Sequence, residues 1–107
     1  MGQFEKAAYS GLTTGAGNCY VYYAVASALL TRCGIENQMI ERDSVTSPHY
    51  WNLVKVGGSW YHFDTCPHHE GCELYSFLLT DSQVAEYSQN VDPGYYSFDA
   101  SRYPATP

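Results

Sequence analysis

The chain has 107 residues, 45% hydrophobic and 16% aromatic with 11 tyrosines, which suits one small folded domain and excludes a disordered segment. Its net charge is −6, with only five basic residues. That charge argues against nucleic acid or an anionic membrane surface as a partner. The charge is uneven: four acids balance four bases before Asp64, whereas from Asp64 onward seven acids face Arg102 alone. The acidic half reads as a solubility feature.

No apolar run reaches membrane-spanning length, since Val21 to Leu30 is short and broken by tyrosines and a serine. The first residues are neither basic nor apolar enough for a secretory signal, and Lys6 occupies the place where a myristoylation signal needs Ser or Thr. Membrane insertion is therefore not expected.

In chain order, a short helical stretch is expected at Phe4 to Tyr9, followed by a loop with three glycines from Gly11 to Gly17. Asn18 suits a helix N-cap, and a helix is predicted from Cys19 to about Cys33, ended by Gly34. Apolar residues lie nearly all round that helix, so it reads as central and buried. Ile35 to Arg42 reads as a strand and Asp43 to Pro48 as a polar loop.

The strongest local signal follows. His49 to Val56 and Ser59 to Asp64 are rich in aromatic and β-branched residues and are separated by Gly57-Gly58, which predicts a hairpin with a two-residue turn. Residues 65–73 read as a loop, Leu74 to Leu79 as a strand, and Asp81 or Ser82 as the cap of a short helix through Tyr87. The tail from Asn90 to Pro107 is predicted irregular. Its Tyr95, Tyr96, Phe98 and Tyr103 suggest that it lies against the domain.

The hairpin carries chemistry. A two-residue turn pairs Val56 with Ser59 and sets Asp64 opposite Trp51, with His49 on the same face and diagonal to Asp64. Diagonal neighbours lie about 7–8 Å apart at the backbone, within reach of a His–Asp hydrogen bond. Asn52, a rival third member, is three residues from His49 and points to the opposite face of a regular strand. Cys19 begins the helix, where backbone N–H groups favour a thiolate. Its own N–H is a candidate donor to an oxyanion, and the glycines before it let a substrate backbone approach. A lone cysteine is usually a small buried hydrophobe and a lone strand histidine usually structural. The three together read as nucleophile, base and orienter: Cys19, His49 and Asp64.

Other residues have weaker claims. Trp51 shares the face of His49 and either walls the site or packs beneath it, and His62 is a second-choice base. Gly17 and Asn18, beside the nucleophile, are candidate substrate contacts. Cys66, His68, His69 and Cys72 fall within seven residues without the separated pairs of a zinc fold, so no metal is expected there. A Cys66–Cys72 disulfide is the more natural pairing in an oxidising compartment. Cys33 reads as a buried thiol. No cofactor is indicated.

At these residues the chain resembles the transglutaminase-like superfamily, in its bacterial branch. The matching stretches are Gly15-Ala16-Gly17-Asn18-Cys19, Leu29-Leu30 with Gly34-Ile35, His49 to Val54, Gly58 to Asp64, Phe77 to Asp81, and Tyr103-Pro104. The resemblance implies an α+β, papain-like fold with the cysteine helix packed on an antiparallel sheet, and a triad of Cys19, His49 and Asp64. It implies a thiol enzyme acting on peptide or protein amides through a thioester, as a peptidase, amidase or glutamine transferase, at the surface of or outside a bacterial cell. The alternative is a catalytically inactive domain of the same fold that binds or supports. Family members usually carry more chain before the cysteine, often with a side chain that completes the oxyanion hole. Gln3 and Tyr9 are candidates here without a secure match to the family pattern, which fits residues 1–107 being the C-terminal domain of a longer protein.

Overall fold

The computed structural model describes residues 19–44 and 47–107. Helix α1 spans Cys19–Arg32, and four strands follow: β1 Asn37–Glu41, β2 Tyr50–Val56, β3 Ser59–Phe63 and β4 Phe77–Leu79. Helix α2 spans Asp81–Asn90, and a 3-10 turn covers Ala100–Arg102. The strands form one antiparallel sheet in the order β1-β2-β3-β4. Fold class is therefore α+β, with the cysteine at the first residue of the helix that packs on the sheet. The expected helix at Phe4 to Tyr9, the glycine loop and the Asn18 cap lie outside the described residues.

Helix α1 stops where its glycine predicts. Gly34 has φ +76°, and the Ile35 N–H reaches back to the Leu30 carbonyl at 2.9 Å while Gly34 N–H bonds Thr31 at 3.0 Å. This paired closure needs a left-handed residue, which glycine adopts without a side-chain clash. The burial of α1 is one-sided: Ala24, Ala26 and Ser27 are buried, while Leu29 is 52% exposed. Small residues on the inner face let the helix lie close to β1 and β2. Asn37 then pins it, accepting from Ser27 Oγ at 2.7 Å and donating to Thr31 Oγ1 at 3.0 Å.

The hairpin register is the predicted one. Val56 pairs with Ser59, Val54 with Tyr61 and Asn52 with Phe63. Gly57 and Gly58 both have positive φ, 59° and 83°, the geometry of the tight turn whose twist matches paired strands. The strand expected from Leu74 shortens to Phe77–Leu79. The cause is a bulge: His62 pairs with Leu79 and Phe63 with Phe77, leaving Leu78 unpaired at φ 59°.

Helix α2 starts one residue earlier than expected and runs three residues longer. Thr80, not Asp81 or Ser82, is its N-cap, in a reciprocal box with Gln83: the Gln83 N–H bonds Thr80 Oγ1 at 3.3 Å and Thr80 N–H bonds Gln83 Oε1 at 2.9 Å. Asp81 is thereby released to face the sheet.

The core fills the space between the sheet, α2 and the tail. It comprises Ile40, Trp51, Leu53, Leu79, Val84, Tyr87, Tyr95 and Tyr96. The tail is irregular as predicted, yet Tyr95 and Tyr96 are 6% and 3% exposed, and the Tyr103 hydroxyl accepts from Glu41 N–H at 3.3 Å.

A buried polar link joins these layers. Trp51 Nε1–H donates to His62 Nδ1 at 3.0 Å, and His62 Nε2–H donates to Asp81 Oδ1 at 2.6 Å. The indole can only donate, so this pairing sets the His62 tautomer. Burial lowers the His62 pKa, outweighing the hydrogen bond and charge of Asp81, which raise it. Below the ordinary imidazole value of 6.5, the unfolded chain takes up a proton that the folded one resists. The stability contributed by neutral His62 is complete above that pH and is lost as pH falls through the lower folded-state value. Urea midpoints measured across pH are expected to decline on the acid side. His62→Gln, which keeps one acceptor and one donor, is expected to shallow that decline without abolishing it, because burial lowers His68 in the same direction.

Candidate active site

Three elements converge at one end of the sheet: the start of α1, the residues entering β2 and those leaving β3. His49 immediately precedes β2 and Asp64 immediately follows β3. The hairpin parity brings them together, with His49 Nε2–H donating to Asp64 Oδ2 at 2.9 Å. Both side chains are buried, at 5% and 3% exposure. Because the carboxylate takes the Nε2 proton, a neutral His49 keeps its lone pair on Nδ1. Asn52, the rejected rival, is buried on the other face with its Nδ2 lacking a hydrogen-bond partner.

Asp64 is a gathering point for donors. Besides His49, its carboxylate accepts from the Cys66 N–H on Oδ1 at 2.9 Å and from the Tyr96 hydroxyl on Oδ2 at 2.8 Å. Its backbone is held by Ser76, whose carbonyl accepts from Asp64 N–H and whose hydroxyl donates to Asp64 carbonyl, both at 2.8 Å. A buried carboxylate needs this many donors to replace its lost hydration.

Cys19 Sγ lies 3.8 Å from the Pro48 carbonyl oxygen, against the peptide that leads into His49. Thr65 Oγ1–H donates to the Tyr22 carbonyl at 3.2 Å and so ties the first turn of α1 to the residue after Asp64. Tyr20 meets Tyr50 edge-on, with ring centres 5.4 Å apart. The thiol therefore sits where the helix start and the hairpin are fastened together.

Trp51 is wholly buried, at 0% exposure. Its indole stacks on the His49 ring at 5.2 Å and 26°. It packs beneath the imidazole and offers no surface to a substrate, so the expectation that it contacts substrate gives way to the packing role. Gly17 and Asn18, together with Gln3 and Tyr9, lie outside the described residues. His62 turns to Trp51 and Asp81, away from Asp64.

The loop after β3 disperses its four candidate ligands. His68 Nε2 meets the Tyr96 hydroxyl at 2.6 Å, His69 Nδ1 meets Asp92 at 2.7 Å, and Cys72 Sγ lies 3.9 Å from the Val91 carbonyl. All four cysteines are unpaired, so Cys66 and Cys72 are not bridged, and Cys33 is exposed where a buried thiol was expected. Burial pushes the Cys66 thiol up to about 12, helped by the negative charge of Asp64 and by Cys19.

Sequence reading missed Tyr96 and His68 as partners of the site. The aromatic tail was legible as packing, but nothing in its spacing marks one phenol as the donor to Asp64.

A helix-start thiol fastened against a hairpin that carries a buried His–Asp pair, on an α+β scaffold, is consistent with a transglutaminase-like fold. Residues 2–65, more than half of the chain, match the core of the transglutaminase-like superfamily, and the chain belongs to that superfamily. Its members are generally cysteine acyl-transfer enzymes. Searches of curated proteins and of solved structures found no match. Among the described residues, no helix is long and apolar enough to cross a membrane.

Proposed function

We propose that the chain is a thiol-dependent acyl-transfer enzyme acting on peptide or glutamine side-chain amides, with hydrolysis as its main reaction. The observation that carries this reading is the buried 2.9 Å bond from His49 Nε2 to Asp64, which leaves the lone pair of a neutral ring on Nδ1, and Cys19 Sγ lies 3.8 Å from the carbonyl oxygen of the preceding residue, Pro48. Cys19 thiolate attacks the amide carbonyl, and a C–S bond forms. His49, carrying the thiol proton, delivers it to the leaving nitrogen as the C–N bond breaks, giving a thioester and a free amine. His49 then takes a proton from water, the hydroxyl adds to the thioester carbonyl, and the thiolate leaves with the carboxylic acid released. Asp64 holds the ring in the useful tautomer and balances its positive form. The Cys19 N–H donates to the oxyanion, and Gly17 and Asn18 flank the substrate backbone. Nothing in the sequence marks a second amine site, which favours water as acceptor.

Alkylation with iodoacetamide, read residue by residue by mass spectrometry, tests the nucleophile without knowing the substrate. Cys19 is expected to label fastest near neutral pH, and His49→Ala to remove that advantage. Cys66 is expected to label slowest, since burial raises its thiol to about 12. Equal rates for Cys19 and the exposed Cys33 would end the activated-nucleophile reading.

A further inference from the structure

The Asp64 carboxylate is gripped from a direction that the three-residue reading does not use. Tyr96 comes from the tail beyond α2 and is 3% exposed. Its hydroxyl donates at 2.8 Å to Oδ2, the same oxygen that takes the His49 proton at 2.9 Å. A phenol has one proton, and here the carboxylate receives it. The 2.6 Å contact between the Tyr96 oxygen and His68 Nε2 must then have His68 as the donor. The protons run in one direction: His68 to Tyr96, Tyr96 to Asp64, and His49 to Asp64 from the other side. Ring packing holds these two side chains in place, with His68 lying 5.0 Å from Tyr95 and Tyr96 meeting Trp51 edge-on at 5.0 Å.

We propose that Tyr96, backed by His68, is a positioning residue for the Asp64–His49 pair, orienting the carboxylate and limiting how much of its charge His49 feels. This rests on the reading of His49 as the base and adds to it the partners that tune it. The physical basis is competition for one oxygen. A hydrogen bond to a carboxylate stabilises its charged form and draws density from the accepting atom. With the Tyr96 hydroxyl present, Oδ2 pulls less strongly on the imidazole and cannot swing away from it. Without that hydroxyl, Oδ2 turns wholly to His49 and favours the imidazolium. Burial, and then the charge of Asp64, hold the Tyr96 phenol far above its ordinary range, so it remains a donor throughout the working pH range.

Among the described residues, the groups that face His49 are few. Asp64 bonds it, and Tyr95 and Tyr96 lie at 4.7 and 6.0 Å between ring centres. Arg42 donates its backbone N–H to the His49 carbonyl and sets its guanidinium over Tyr95. His68 feels the charge of His49, Cys66 N–H holds the other carboxylate oxygen, and Cys19 lies against Pro48. Among these, removing the Tyr96 hydroxyl changes the donors on Oδ2 directly.

The test is NMR titration of the full chain with isotope-labelled histidine, comparing the parent with Tyr96→Phe and His68→Phe. Only four histidines need assignment. In Tyr96→Phe the midpoint of the His49 ring signals is expected to move upward by about half a pH unit or more, with the His62 signals unmoved. In His68→Phe the shift is expected in the same direction but smaller, because the phenol keeps its proton and loses only the donor that orients it. A merely structural tyrosine would lower the urea midpoint and leave the His49 titration where it was, and that result, or a downward shift, overturns the proposal. Should Tyr96→Phe fail to fold, His68→Phe decides alone, and an unmoved His49 there also overturns it. The titration does not read Cys19. An unreactive cysteine would therefore remove the acyl-transfer reading while the role of Tyr96 stands or falls on its own data.

Discussion

Asp64→Ala is expected to cost about 3 kcal/mol of folding stability, because it orphans several buried donors at about 1–3 kcal/mol each and only partly regains this from the relief of a buried charge. The donors are His49 Nε2–H, the Tyr96 hydroxyl and the Cys66 N–H. A small domain has about 5–15 kcal/mol in total, so this is a large fraction. Asp64→Asn separates folding from chemistry. An amide keeps the volume and one acceptor, but its NH2 group meets a donor in either orientation, the Cys66 N–H on one side or His49 and Tyr96 on the other, so a contact must break or His49 must turn its lone pair toward the amide. The second outcome moves the proton to Nδ1, the wrong nitrogen for a base beside Cys19. On the proposed acyl-transfer reading, the expected result is a protein that folds near the parental midpoint while amide turnover falls by about 10⁴-fold, the scale for loss of the correct tautomer in a Ser-His-Asp triad. Urea unfolding followed by tryptophan fluorescence measures the first effect. The residual rate of thioester formation with a peptide amide measures the second. Parental turnover in Asp64→Asn would remove Asp64 from the mechanism.

Trp51→Ala carries the largest expected cost in the core, about 3–5 kcal/mol for a buried tryptophan cut to a methyl group. Trp51 is wholly buried and joins the sheet to the tail through Tyr96 and Phe98, whose ring centres lie at 5.0 and 6.3 Å. The change also leaves His62 Nδ1 without the indole proton it accepts. The cavity opens directly beneath His49, so the imidazole loses the ring that keeps it at Asp64. Trp51→Phe is the informative partner. It restores most of the stacking and removes only the Nε1–H bond, for an expected cost of about 1–3 kcal/mol. If the main task of Trp51 is to support the imidazole, Cys19 alkylation in Trp51→Phe stays near the parental rate while the stability drops. Equal stability of Trp51→Ala and the parent would contradict the packing described above.

The hairpin shows why part of the site was readable. The glycine pair sets a two-residue turn, alternation sets the faces, and together they choose Asp64 over Asn52 without any knowledge of the rest of the fold. The same local logic placed the end of α1 at Gly34. It failed where three neighbouring cap signals competed. Thr80, Asp81 and Ser82 are all good caps, and the winner was settled by Gln83 on one side and by the demand of His62 for Asp81 on the other. It failed again at β4, where a bulge at Leu78 broke the period that the strand prediction relied on. One-sided burial of α1 was likewise hidden, because an apolar helix surface does not say which side receives a sheet.

What the sequence by itself determined is therefore short in range: a helix that begins at Cys19, a hairpin that pairs His49 with Asp64, and the family to which those residues point. The separation between His49 and Asp64 is 15 residues, and a tight turn closes it. Tertiary structure decided the surroundings that give this pair its character. Tyr96 reaches Asp64 across 32 residues and His68 reaches Tyr96 across 28, while Trp51 meets His62 within the sheet and Asp81 closes that link from α2. The physical reason is that an irregular tail has no period to read. Where Tyr96 comes to rest depends on burying several aromatic rings at once against the sheet and α2, and that collective packing aims its single proton at Asp64.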